Sequence, residues 1–220
     1  MILKLDLFRS DTMWLIEKLG LYLDSMDTAI ADARLKDRER IDRLNIKTQD
    51  GFDDQQEHLY LHALLFDEDF PSKLRYSFLL MSYIVFESAS KALGEELNRR
   101  KIVGPKLEKK RKNGESWPQA VRRFLESEPN SIRIIDAAMW TELFAFNDLR
   151  NCIVHRGGDV NSWDKSERVM QIIEENKNRG LALNDKGFIQ IEVVYCRHVV
   201  NVIHGFFDRV FEETGFGPAE

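Results

Sequence analysis

An all-α fold is what this chain predicts, and three observations carry the prediction. Apolar residues recur at three- and four-residue spacing along almost all of its 220 residues, the period of helices packed on one side. The punctuation is helical too: Pro71 and Pro118 stand where first turns begin, and Gly157, Gly158 and Gly215 where last turns end. One stretch departs from the pattern. Leu181–Leu183 and Phe188–Ile191, around the turn-forming Asn184–Gly187, read as a small β-hairpin just before the last helix. The expected architecture is an antiparallel helical bundle carrying that hairpin.

Taken in order, Ser10 or Asp11 caps a first helix whose Met13, Trp14, Ile16, Leu19, Leu23, Met26 and Ile30 repeat at helical spacing. From Arg34 to Arg43 the charges alternate in sign, as on a solvated extension and not a nucleic-acid arm. The chain therefore reads as one domain over residues 1–220, with residues 1 to about 50 available as an N-terminal helical arm. After the turn Gln49–Gly51 a helix is expected from about Phe52 to Phe66, then another from Pro71 to about Arg99, apolar all round between Leu74 and Phe86 and so central to the core. Asn98–Gly114, holding Gly104 and Pro105, reads as a loop and not a packed element. A short helix follows from Ser116 to about Leu125. The partner of the central helix runs from Ile134 to Val154, with Ile135, Ala138, Met139, Leu143, Phe144, Phe146 and Leu149 as its stripe. Ser162 or Asp164, with Glu167 in box-like spacing, starts a helix through Ile173, and the last helix runs from about Glu192 to Glu213.

Composition narrows the function classes. With 43% hydrophobic and 31% charged residues the chain can bury a core without metals or disulfides. Cys152 and Cys196 sit inside apolar helical patterns, outside any C-x-x-C spacing, and read as buried thiols of a reducing compartment. Charges at Lys4, Asp6, Arg9 and Asp11 break any signal-peptide core, and the greasiest run, Phe78–Phe86, is far shorter than the roughly 20 residues of a membrane span. A cytoplasmic location and no membrane partner are the expectation. No P-loop, dinucleotide fingerprint, G-x-S-x-G or Glu-x-x-His repeat occurs. His58 and His62 have the spacing of a zinc pair, but Glu57 precedes the first histidine and no third ligand is evident, so neither metal nor cofactor is expected.

The stretch that carries chemistry is Asp148-Leu149-Arg150-Asn151-Cys152-Ile153-Val154-His155-Arg156-Gly157-Gly158. Arginine offers a permanent cationic fork for phosphate oxygens, and histidine exchanges a proton near neutral pH. On a helix Asn151 and His155 share a face, and Arg150 lies about 100° round from Asn151. The glycine pair ends the helix just past His155, where unpaired carbonyls favour a cation. An arginine and a histidine at such spacing arise about once by chance in a chain of this composition. A second match, Arg197 to His204, does exist, inside the apolar-interleaved last helix and without a polar neighbour after the arginine. The carboxamide, the helix end and the glycine pair favour the first.

On these residues the chain resembles the HEPN superfamily, whose motif is an arginine, four to six intervening residues and a histidine, often with a polar residue after the arginine. The resemblance covers about eleven residues and the order of helices around them. It implies a HEPN-like antiparallel helical bundle, a homodimer whose two motifs line one cleft, and RNA cleaved without metal to leave 2',3'-cyclic phosphate. By that resemblance Arg150 holds the scissile phosphate, His155 transfers a proton and Asn151 orients one of them. A toxin or phage-defence ribonuclease, with RNA and an antitoxin or regulatory protein as partners, is the family setting; the alternative is a non-catalytic HEPN-like module that binds RNA or a protein. Family toxins controlled by a nucleotidyltransferase carry a tyrosine two residues after the histidine. Gly157 stands there, which argues against that control.

The formal net charge of −5 repels polyanions at long range, so RNA contact needs a local reversal. Between Arg99 and Lys112 eight cations face one carboxylate, Glu108. Arg99, Arg100, Lys101, Lys109, Lys110, Arg111 and Lys112, with Arg156 beside the motif, are the candidate RNA-contacting residues. Glu87 and Lys91 read as a surface ion pair, and Trp140 and Phe144 as core, not as platforms for bases.

Overall fold

The computed structural model describes residues 6–45, 70–102, 107, 112, 114–126, 132 and 135–216. The helix expected at about Phe52–Phe66, with His58 and His62, lies outside the described residues, as do Lys109, Lys110 and Arg111. The described chain is mostly helical with one two-stranded antiparallel hairpin.

Helix α1 spans Leu7–Asn45. It starts earlier than Ser10 because Asp6 is the cap, its carboxylate accepting from the amides of Phe8 (3.1 Å) and Arg9 (3.3 Å). Ile16, Leu19, Leu23, Met26 and Ile30 are buried, and no described residue of α1 beyond Ile30 is, so the charged second half is solvated as expected. Helix α2, Phe70–Arg99, buries twelve of its thirty residues, spread along its length from Pro71 through Phe78, Phe86 and Leu93 to Leu97. Helices α3 (Trp117–Glu126) and α4 (Ala137–Arg156) follow, then α5 (Ser166–Glu175), a 3-10 turn at Lys177–Arg179, and α6 (Val193–Glu213). Among the described residues no helix is long and apolar enough to cross a membrane.

Helices α2 and α6 pack together and form the middle of the bundle, with α1 against both from one side and α4 against both from the other. Their interface is aromatic: Phe86 meets Phe206 edge-on at 5.5 Å, and Trp140 of α4 meets Phe206 at 5.5 Å. Each such fully buried side chain contributes on the order of 2–3 kcal/mol. Leu107, the one described residue between Ile102 and Lys112, is buried where an unpacked loop was expected. Leu107 is 4% exposed and packs on Gly94, whose missing Cβ would sit 3.2 Å from the Leu107 Cβ. The apolar side chain outweighed its basic neighbours.

Strands β1 (Leu181–Leu183) and β2 (Ile189–Ile191) pair in the register Leu181–Ile191 and Leu183–Ile189. Asn184 closes the turn by accepting from the amides of Lys186 (3.0 Å) and Phe188 (2.9 Å), and Gly187 takes φ +83°. The backbone just past α4 joins this hairpin: the Ile189 amide donates to Gly158 O (2.9 Å) and the Val160 amide to Gly187 O (3.0 Å). Helix α5 starts at Ser166, later than Ser162 or Asp164, because Val160–Ser166 forms successive turns in which the Trp163 and Ser166 amides bond back three residues. The Asp164–Glu167 box is not made, and α5 has no side-chain cap.

Candidate functional site

Helix α4 carries the motif and both its ends are pinned. Asp136 caps the start, accepting from the Met139 amide at 2.7 Å, while its other oxygen receives Arg209 at 2.6 Å. That arginine holds the carboxyl below its usual range. At the far end Gly157 and Gly158 take φ +62° and +87°, and their amides return to Ile153 O (2.9 Å) and Cys152 O (3.4 Å). Left-handed backbone of this kind favours glycine. A Cβ at Gly158 would also run into the Tyr76 hydroxyl, which donates to Ile189 O.

A groove of about 550 Å³ opens along one side of α4. Tyr83 and Glu87 of α2 form one wall, Ser116, Trp117 and Gln119 at the start of α3 another, and Lys165 and Arg168 at the start of α5 the third. Asn147, Asp148, Arg150 and Asn151 of α4 make the floor, with Phe144 at its end.

Arg150 sits in this groove with its guanidinium 5.0 Å from the centre of the Tyr83 ring, and donates to the Asn151 carboxamide oxygen at 2.8 Å. No carboxylate among the described residues pairs with it. The platform beneath is held by hydrogen bonds: buried Tyr83 donates to Asn147 Oδ1 at 2.9 Å, and Asn147 Nδ2 reaches Asp148 at 3.5 Å. Arg168 approaches Asp148 only at 3.7 Å. Glu115 is bound by Arg123 at 2.6 and 2.8 Å, which holds its carboxyl down at about 2, so it is an anion throughout the physiological range. Three carboxylates (Glu87, Glu115, Asp148) thus face three cations (Arg150, Lys165, Arg168), and Arg150 is the cation whose fork remains open.

His155 lies elsewhere. It is exposed in the last turn of α4 and stacks on Trp163, ring centres 5.9 Å apart and planes 3° from parallel. It does not line the groove. Five residues on from Arg150, His155 lies about 7.5 Å further along the axis and about 140° round from it, one turn past the groove-lining Asn151, where it stacks on Trp163 and is exposed. Between them the buried Cys152 thiol is pushed up to about 11 by its surroundings, which removes it as a nucleophile at neutral pH.

The remaining sequence candidates divide. Arg99 is bound by Glu96 at 2.5–2.6 Å; Arg100 is bound by Glu96 and Asp6, each at 2.7 Å, and lies over Phe216. Those two donors are committed to the fold. Lys101 and Lys112 are exposed, and Arg156 is exposed with Asp164 at 3.9 Å. Glu87 does pair with Lys91 at 3.4 Å, and lines the groove as well. Trp140 is core at 1% exposure, while Phe144 stacks on it from the groove side. In the competing match Arg197 is held by Asp24 of α1 at 2.6 Å.

Reasoning from sequence missed Tyr83, Asn147, Gln119 and Arg168. The one available signal was a carboxamide inside the apolar stripe of α4, Asn147, which buries at 6% exposure only with a partner. Scanned against protein-family models, curated proteins and solved structures, the chain matches none. Among the described residues no three His, Cys, Asp or Glu side chains gather as a metal site.

Proposed function

We propose that the chain is a HEPN-type endoribonuclease that needs no metal and acts as a homodimer on RNA. The observation that carries this reading is Arg150: a part-buried guanidinium over the Tyr83 ring, bonded to the Asn151 carboxamide, in an ion pair with no described carboxylate and lining a groove of about 550 Å³. Such a fork binds a phosphate and gains when charge builds on its oxygens in the transition state. The 2'-hydroxyl loses its proton to a base as its oxygen bonds to phosphorus, and the 5'-oxygen leaves as it takes up a proton, with a cyclic phosphate left behind. His155 is the group for one of these transfers. Because it does not line its own Arg150 groove, the reading requires a second copy whose α4 end meets the first across a two-fold axis. The antitoxin, toxin and phage-defence settings belong to the same proposal.

The imidazole's place outside the groove also favours a second reading, a module that grips RNA at Arg150 and does not cut it. One assay separates the two. Labelled RNA is incubated with the protein in EDTA, beside Arg150→Ala and His155→Ala, and binding and cleavage are both read. The enzyme predicts cyclic-phosphate products that vanish in both variants, with RNA affinity lost only in Arg150→Ala. Affinity lost in Arg150→Ala without cleavage by wild type assigns the binding module, and equal cleavage by all three proteins sinks both readings of the site.

A further inference from the structure

Helix α1 presents a second surface that RNA cleavage does not use. Leu7, Trp14 and Leu21 follow one another at seven-residue spacing, which drifts only about 20° per step round a helix, so they form one stripe. They are 74%, 58% and 67% exposed, and Tyr22 and Leu15 flank them at 41% and 39%. The stripe stands opposite the core: Ile16 and Leu23, two residues on from Trp14 and Leu21, are fully buried about 200° away. Five large apolar side chains exposed over about four turns form a patch of the kind that marks an interaction site.

Its charges name the occupant. Asp11 and Lys18 lie on the same flank of the stripe, seven residues apart, both exposed and neither in an ion pair with any described residue; the Lys18 ammonium rests 3.1 Å over the Trp14 ring. On the opposite flank Asp24 is already neutralised by Arg197. A helix with this arrangement is complementary to itself run backwards. With a two-fold axis between residues 14 and 15, residue i stands beside residue 29 − i of a second copy. Asp11 then meets the partner's Lys18, Lys18 meets the partner's Asp11, Leu7 meets the partner's Tyr22, and Trp14 meets the partner's Leu15 beside the axis.

We infer that the outer face of α1 is an isologous interface, in which two copies of this chain pair their first helices antiparallel about Trp14. Small stable interfaces bury on the order of 600 Å² per copy, and the stripe, the flanking Leu15 and Tyr22 and the stem of Lys18 are the groups that would supply it. Since α1 and α4 lie on opposite sides of the α2–α6 pair, this contact is separate from any cleft at Arg150. A chain using both contacts assembles beyond a dimer.

The test is the mass of the full chain by sedimentation equilibrium, up to roughly 100 µM. Wild type is expected at an even multiple of the protomer, and Trp14→Glu with Leu21→Glu at half that value; both side chains are exposed, so the variant keeps the helical circular dichroism and melting point of wild type. Lys18→Glu sets like charges across the axis and weakens association about tenfold, and adding Asp11→Lys restores it. A wild type that stays monomeric overturns the inference. So does a mass unchanged in the double variant, or a monomer that instead floats with anionic lipid vesicles through Trp14 and Leu21, which assigns the face to a membrane. None of these outcomes touches the RNA reading, because Arg150 and its groove are intact throughout.

Discussion

Two arginines of this chain are followed by a histidine after four to six residues, and their surroundings separate them. Arg197, midway along α6, reaches Asp24 at 2.6 Å and ties the last helix to the first. Arg150, near the end of α4, has a neutral carboxamide and an aromatic face for neighbours. A paired guanidinium is committed to the fold, whereas one without a carboxylate keeps donors that an anion could use. The lesson is that spacing nominates an arginine and its partners decide what it is for.

The largest expected effect sharpens that contrast. Arg150→Ala should lower RNA cleavage, or affinity if the chain only binds, by on the order of 10²–10³, while Arg197→Ala stays within about twofold and loses no more than roughly 0.5 kcal/mol of stability. Equal losses in initial-rate and titration measurements would erase the distinction. Next comes the helix end that presents the motif. Gly158→Ala forces a left-handed backbone onto a residue with a Cβ and drives that Cβ into Tyr76, which should cost about 2–4 kcal/mol and lower Tm by roughly 5–10 °C in calorimetry; an unshifted melting point would mean that this junction is loose. The smallest effect concerns arginines held as Arg197 is. Glu96 grips Arg99 and then Arg100, which holds its carboxyl down at about 2. Its folded value lies below its unfolded one, so its contribution is complete above about pH 4.5 and is lost as pH falls from there toward 2. Glu96→Gln should flatten that part of the stability–pH curve, and an unchanged slope would show that the grip contributes nothing.

Much of the fold was legible because it follows from local rules. The central helix starts one residue before its proline, the hairpin strands fall at Leu181–Leu183 and Ile189–Ile191, and the glycine pair ends α4. The misjudged boundaries turn on capping choices between near neighbours: Asp6 over Ser10, and a run of turns at Val160–Ser166 over an Asp164 box. Leu107 escaped notice because one buried leucine among cations has no period to betray it. The groove was illegible for a different reason. Tyr83, Gln119, Asn147 and Arg168 come from four helices far apart in the chain, and only packing makes them neighbours. Arg150 and Asn151 were found because they are adjacent in sequence, and so was His155; that the imidazole stacks on Trp163 and does not line the groove depends on the turns at Val160–Ser166, which no spacing reveals.

The hairpin is more than a connector. Through Gly158 O, the Ile189 amide and the Tyr76 hydroxyl, the last turn of α4, the second strand and the central helix share one joint. Lengthening the tip at Asp185–Lys186 should leave that joint undisturbed, whereas a bulkier or shifted residue 189 would be transmitted, as by a stiff hinge pin, to the angle at which the last turn of α4 carries His155.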